Sequence, residues 1–377
     1  MSTAARFFHD TYASLARRLK WTLPVCAAMP GELKRTLLVP AGACVIDTAL
    51  EESFHGYPAQ GVPYAWPDWK CTLIPEARVV GDQGFVFLPD GRLLVPTLFP
   101  NDDKLHIFKV RRPIKLGAQR VKGMAFHLTG SNHENRGHFM LDHLPRLIAA
   151  EEMLRGEKDW QIILTGHHIS WQREYLQMLG FDPARIVACE SGTLIVERLL
   201  HVPFVSTRSS VAPSFALNRL RDAGAEYAGV NAAQDRCGPP VFLSRRDAPN
   251  RRVLNEQRLY EIACEFLPEL QLVLLTGMTL SEQIRLYRHT PLFISPLGQA
   301  SCNMVFGMGN TIINLTHGPQ PKDAAGCVGT HIAALSGNRG LTLHSGTDLG
   351  VNKDWSFPEA AFAQQMKRFV ETVNWKK

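Results

Sequence analysis

No two of the eight cysteines stand in a Cys-x-x-Cys pair; they lie scattered at Cys26, Cys44, Cys71, Cys189, Cys237, Cys264, Cys302 and Cys327. Zinc-ribbon spacing is therefore absent. In a chain of 377 residues there is no disulfide framework to read either, so free thiols in a reducing compartment are expected. Long apolar runs are also missing: none approaches the roughly 20 residues that span a bilayer. Arg6, Asp10, Arg17, Arg18 and Lys20 interrupt any apolar stretch a signal peptide would need, and a cytoplasmic location is the expectation. No Asp-x-Asp triplet, internal repeat or low-complexity tract occurs. Charge bias is small. A formal charge of +6 suits an anionic ligand such as a nucleotide diphosphate, or an anionic membrane surface, but does not by itself argue for nucleic acid.

What is present is ordinary soluble-protein material, 45% hydrophobic and 20% charged, enough for a sizeable core. Residues 4–20 carry Phe8, Tyr12, Leu15 and Leu19 at helical spacing, with Arg17, Arg18 and Lys20 at the end. A helix docked on the body of the protein is the favoured reading, and a peripheral anchor at the inner face of the membrane is the alternative. Residues 36–130 look β-rich: Thr36–Val39, Gly84–Leu88, Leu93–Val95 and Leu105–Val110 are short apolar runs punctuated by Pro, Gly and Asp90-Gly91.

From about 122 the rhythm turns to α/β, with helices expected over Gly137–Leu154, Ser170–Leu179 and Ser214–Tyr227. A polar linker at Asn231–Gly238 suggests a domain boundary. Beyond it strands are expected at Val241–Leu243, Leu272–Leu275, Leu292–Ser295 and Thr311–Leu315, the last closing the series. They alternate with helices at Glu256–Phe266, Leu280–Arg288 and near Ser301–Phe306, and residues 359–372 form a final amphipathic helix. Short apolar strands alternating with helices imply a parallel sheet covered by helices.

Three segments can carry chemistry. In Asn135–Arg146, His138 and Asp142 stand four apart and share one face of a helix. An imidazole beside a carboxylate is a workable general base. Pro145 requires the helix to kink there or to begin nearby, because its ring clashes with the Leu141 carbonyl. Equally open is a purely structural reading, with Asn135 as cap and Asp142 bridged to Arg146. A metal held by His127, His133, His138, Asp142 and His143 matches no zinc spacing and is disfavoured.

In Ser244–Glu256, four arginines follow a strand and precede a helix, where anions bind in open α/β sheets. The segment Ser295–Asn303 again follows a strand and opens a helix. There Gly298 permits a close backbone approach, and Gln299, Ser301 and the first helical amides are candidates to hold a diphosphate.

Taken together and in order, these segments resemble glycosyltransferase family 61. Asn135, His138, Asp142, Leu144, Pro145 and Arg146 match its first motif. Ser244, Arg245, Arg252, Asn255 and Glu256 match its second, Glu282-Gln283 an acidic-Gln helix, and Pro296, Gly298, Ala300 and Asn303 part of its last turn. Ser295, Leu297 and Gln299 stand where the family usually has Gly, His and Ala.

The resemblance implies a GT-B architecture of two Rossmann-like domains: an acceptor-side domain over 1–230, with a β-rich portion at 36–130 and an α/β portion at 131–230, then a nucleotide-sugar-binding domain over 231–355 and a C-terminal helix over 356–377. It also implies inverting transfer without an essential metal or other cofactor, in surface polysaccharide synthesis. The donor is a nucleotide sugar and the acceptor a carbohydrate or lipid-linked glycan. Catalysis then falls to Asp142 and His138. Donor binding falls to Ser244, Arg245, Arg246, Arg252, Asn255, Glu256, Gly298, Gln299 and Ser301. Two rivals belong to other classes. One is a catalytically inactive nucleotide-sugar-binding or scaffold subunit, supported by Leu297. The other is a nucleic-acid binder, for which the arginine loop is the sole support and no basic aromatic face is evident.

Overall fold

The alternation of short apolar strands with amphipathic helices produces a mixed α/β protein with parallel sheets. The computed structural model describes residues 25–26, 29–94, 118–130, 132–167, 169–189, 192–204, 212–231 and 235–375. The expected helix at 4–20 and the run Leu105–Val110 lie outside the described residues.

The described residues fall into two compact units. The first takes the described residues of Met1–Ala41, Pro67–Arg173 and Asp182–Ser209; the second takes those of Gly42–Trp66, Glu174–Phe181 and Ser210–Lys377. No single cut near residue 231 separates them. The hairpin Gly42–Ile46/Val62–Trp66, the helix Ala49–His55 between its strands and the helix Ser214–Ala228 all belong with the C-terminal sheet. The physical reason is burial. Phe54 enters one core with Phe242, Leu341, Leu343 and Phe357, and the fully buried Glu51 accepts hydrogen bonds from Thr330 Oγ1 at 2.7 Å and Thr342 N at 2.8 Å. Burying a phenylalanine is worth about 1.5–3 kcal/mol.

In the first unit the β-rich and α/β stretches merge into one mixed sheet. Strands Gln119–His127, Trp160–Thr165 and Ile186–Cys189 run parallel, and Thr193–His201 runs parallel to Gln119–His127 on its other side. The long strand Trp69–Val80 is antiparallel to Thr193–His201 and carries the hairpin strand Phe85–Phe87, while Arg35–Val39 pairs with its first half.

In the second unit five strands are all parallel, in the order Gln271–Val273, Val241–Leu243, Leu292–Pro296, Thr311–Thr316, Arg339–His344. The series therefore does not close at Leu315. Helix Val328–Leu335 and the strand Arg339–His344 extend it by one further unit. Helices Glu256–Phe266 and Glu359–Thr372 pack together, while Ser214–Ala228 packs on Leu280–His289 and on Asn303–Phe306. Apolar strands buried on both faces are what such a doubly wound sheet requires: Val241, Phe242 and Leu243 are all buried. Among the described residues no helix is long and apolar enough to cross a membrane.

Candidate functional site

Asn135 stands in extended conformation, and its side-chain oxygen accepts from the backbone N–H of His138 at 3.2 Å, which starts the helix at Arg136. Pro145 would break a regular helix here. The chain answers with a π-helical turn over Phe139–His143, in which the N–H of Leu144 reaches back five residues to the Phe139 carbonyl. The extra residue opens the helix where the proline enters, and regular helix resumes over Leu144–Ala149. Single π turns of this kind recur at functional sites.

Within the turn, His138 Nδ1 lies 2.7 Å from Asp142 Oδ2. The Asp142 side chain is 2% exposed and that of His138 is 27% exposed. Solvent therefore reaches the imidazole, while the carboxylate stands behind it and fixes its orientation.

Arg146, the last residue of the same motif, is fully buried and does not serve as the partner of Asp142. Its Nε donates to Val202 O at 2.6 Å, Nη1 to Leu128 O at 3.0 Å and Nη2 to His127 O at 2.9 Å. Those carbonyls sit at the carboxyl ends of two hydrogen-bonded parallel strands, so one guanidinium fastens the helix to both. The Phe204 ring lies 4.1 Å from the guanidinium carbon, and burial pulls the Arg146 pKa down to about 9.

Nearby histidines also serve the interior. His143 Nδ1 pairs with Leu128 O at 3.0 Å, His133 Nδ1 with Gly130 O at 2.5 Å, and His127 Nδ1 meets His201 Nδ1 at 3.4 Å. Complete burial, with Arg146 beside it, holds His127 neutral with its pKa lowered to about 3. Among the described residues no three His, Cys, Asp or Glu side chains converge as a metal set would.

The second unit builds a separate candidate site. Its strand order places the first strand, Val241–Leu243, between the second and the third, so successive connections leave in opposite directions. Such a topological switch point opens a crevice beyond the carboxyl ends of the two strands. Arg245 stands two residues beyond Val241–Leu243, and Gly298 two beyond Leu292–Pro296. The Arg245 guanidinium fills the space of the missing Gly298 side chain: a Cβ there would lie 1.8 Å from Nη1. Arg245 Nη2 makes one long bond, to Asn250 O at 3.3 Å, while Nε is buried without a hydrogen-bond partner. Burial, and next to it the positive charge of Arg251, hold this guanidinium below its ordinary pKa. An incompletely paired, partly buried cation at a switch point has the chemistry to receive an anion.

The remaining donor candidates divide into supports and exposed groups. Glu256 is buried and accepts from Ser244 Oγ at 2.5 Å and from the Arg245 N–H at 2.7 Å, so Ser244 and Glu256 set the path of the arginine loop. Arg252 is turned to Asp354, at 2.7 Å. Asn255 exchanges two bonds with the Phe357 backbone, at 2.8 and 3.1 Å. Ser301 Oγ is spent on Asn314 Oδ1 at 2.8 Å. Arg246 and Gln299 are exposed. The helix opening at Gln299 is a single turn, Gln299–Cys302, continued by the 3₁₀ turn Asn303–Phe306. Its dipole is correspondingly small, and Arg245 carries more of the charge than the helix amides do. Asp354 and Asn314 were not legible as parts of this region from sequence, because each is linked to it only through the fold.

Residues 137–313 match the family model described as Glycosyltransferase 61, which bears out the resemblance carried by the three segments. Both the His138–Asp142 pair and the Arg245–Gly298 contact lie inside the matched stretch. No curated protein matches the chain. Among solved structures, the E. coli heptosyltransferase WaaC with ADP is similar over 67% of this chain and 99% of that one, at 11% identity and a TM-score of 0.30. A superposition that loose carries no argument.

Proposed function

We propose that the chain is a glycosyltransferase of GT-B type that moves a sugar from a nucleotide-sugar donor to a carbohydrate or lipid-linked glycan acceptor, with inversion and without an essential metal, in surface polysaccharide synthesis. The observation that carries this reading is the Arg245 guanidinium seated on Gly298 at the switch point, within the stretch matched by the family. The donor diphosphate would bind there, with Arg245 and the exposed Arg246 neutralising charge as the glycosidic bond to the leaving group breaks. Gln299 and the Gly298 turn would contact the same group. Ser244, Asn255 and Glu256 would act as supports of the loop. In the first unit, His138 would take the proton of the attacking acceptor hydroxyl. Asp142 would hold the ring in the right tautomer and stabilise the imidazolium that forms.

A panel of nucleoside diphosphates and nucleotide sugars in thermal shift, followed by a transfer assay with the stabilising donor, tests the reading. The expected result is saturable stabilisation by one nucleotide class and transfer that persists in excess EDTA. Loss of transfer with EDTA and its return with manganese or magnesium would remove metal independence. Binding without transfer to any glycan would favour the inactive-subunit reading, which Leu297 supports. A cytoplasmic location accompanies the proposal, with residues 4–20 as a docked helix and, as the alternative, a peripheral anchor at the inner membrane face. Co-sedimentation of the full chain with anionic liposomes, compared with a chain lacking residues 1–21, decides that part.

A further inference from the structure

Two segments of the second unit, 251–254 and 348–355, are joined by backbone hydrogen bonds. Arg251 N donates to Asn352 O at 3.2 Å, Trp355 N to Arg252 O at 3.0 Å and Leu254 N to Trp355 O at 2.8 Å. Val253 and Trp355 bridge the segments and are buried in the core, which gives the pair a fixed base. Beside that base three large aliphatic side chains face solvent: Leu254 is 66% exposed, Leu349 38% and Val351 86%. No other large apolar side chain among the described residues is as exposed as Val351. Arg251, Asn352 and Lys353 all hold left-handed backbone, at φ 54°, 57° and 60°. Non-glycine residues adopt that conformation at a cost, and such residues gather at functional segments.

The open charges of this tip lean positive. Arg251 and Lys353 are exposed and form no ion pair among the described residues, while Arg252 is met by Asp354 at 2.7 Å. Asp348 is the acid left open on the two segments, and Arg246 and Asp247, further back in the arginine loop, offset each other in charge. Cations among exposed aliphatic side chains match an anionic bilayer, whose phosphates meet the charges and whose acyl boundary takes the apolar groups. An acidic glycan would meet the cations alone. A protein interface is centred on aromatic residues, and the tip exposes none. We propose that this paired tip docks the chain on a membrane surface rich in anionic lipid, with Val351 and Leu254 entering the headgroup region and Arg251 and Lys353 lying at the phosphates. The surface is distinct from residues 4–20. Arg251 belongs to the loop that carries Arg245, so a docked chain holds its anion crevice near the lipid, where a lipid-linked acceptor would be found. That consequence rests on the sugar-transfer reading; the docking does not.

The test is co-sedimentation of the full chain with vesicles of phosphatidylcholine alone and of phosphatidylcholine with about one part in three phosphatidylglycerol, at low and at high salt. Binding to the anionic vesicles that weakens in high salt is expected, with little binding to the neutral ones. Leu254→Asp combined with Val351→Asp should weaken it about tenfold or more, and Arg251→Gln combined with Lys353→Gln should do the same. All four side chains are exposed, so the variants should keep the parent's thermal midpoint. Should the aspartates prevent folding, Leu254→Ser with Val351→Ser takes their place. No vesicle binding by the full chain, equal binding to neutral vesicles, or unchanged affinity in the folded tip variants overturns the proposal. Analytical ultracentrifugation covers the other occupant: a dimer that the Leu254 and Val351 variant dissolves, without vesicle binding, would make a second copy the partner and overturn the membrane assignment. None of these outcomes depends on nucleotide binding or transfer, so failure here and failure of the sugar-transfer reading are told apart.

Discussion

The guanidinium of Arg245 occupies the position that the side chain of residue 298 would take if it were anything but glycine, with Nη1 1.8 Å from the place of a Cβ. Gly298 itself has an extended backbone, φ 178°, so its glycine identity is explained by this contact and not by a left-handed turn. A methyl group at 298 must push the arginine head aside. Gly298→Ala should therefore weaken nucleoside-diphosphate binding roughly tenfold or more, the loss expected for one charge-assisted bond. Arg245→Ala should do the same, and the two changes together should cost no more than Arg245→Ala alone. Isothermal titration of the three variants checks this, and full additivity would mean that the two residues act separately.

Arg252 behaves differently. From sequence it ranks with Arg245 and Arg246 as a phosphate ligand, but its side chain is directed to Asp354 through bonds of 2.7 and 3.1 Å. Arg252→Ala should leave nucleotide affinity within about threefold, well short of the tenfold loss one charge-assisted bond is worth. Asp354→Ala should match it. A large loss of affinity in Arg252→Ala alone would mean that the arginine leaves Asp354 when ligand binds.

Asp142→Asn preserves shape at a site with 2% side-chain exposure, but replaces the carboxylate that orients His138. The transfer rate should fall by about 10²–10⁴-fold, as for loss of a general base or its orienting carboxylate. Donor affinity should stay within a few-fold, because Asp142 belongs to the first unit and Arg245 to the second. Steady-state kinetics beside equilibrium donor binding separates the two effects.

Stability should fall in mild acid. His127 is buried neutral, with its pKa lowered from 6.5 to about 3, so below pH 6.5 the unfolded chain takes up a proton that the folded chain refuses. The stability of the native state is complete above pH 6.5. It is lost at up to about 1.4 kcal/mol per pH unit as pH falls toward 3. His133 and His344, also lowered chiefly by burial, act in the same direction. Urea unfolding at pH 7.5, 6.5 and 5.5 measures the slope, and a flat profile would contradict it.

Much of the C-terminal sheet was readable along the chain. Val241–Leu243, Glu256–Phe266 and Glu359–Thr372 fall where their local patterns put them, because each is a short buried strand or a helix with one apolar face. The fifth strand was not readable. Helix Val328–Leu335 is apolar nearly all round, and Arg339–His344 is diluted by Gly340 and Thr342, so neither shows a periodicity. At the site, the His138–Asp142 pair was visible because its spacing is local. Which arginine faces a crevice was not, since Arg252 is decided by an aspartate 102 residues away. The membership of residues 42–66 in the second unit has the same cause, since the contacts that fix it are with strands near the other end of the chain.

That last feature bears on how the protein is made. His55 bonds to the Thr342 carbonyl across 287 residues. During synthesis the segment around Phe54 leaves the ribosome long before the strands that cover it exist, and it must wait as exposed apolar surface. Folding of the second unit is thereby postponed until Arg339–His344 has been made, and a fragment that begins at residue 231 would lack a piece of its own core.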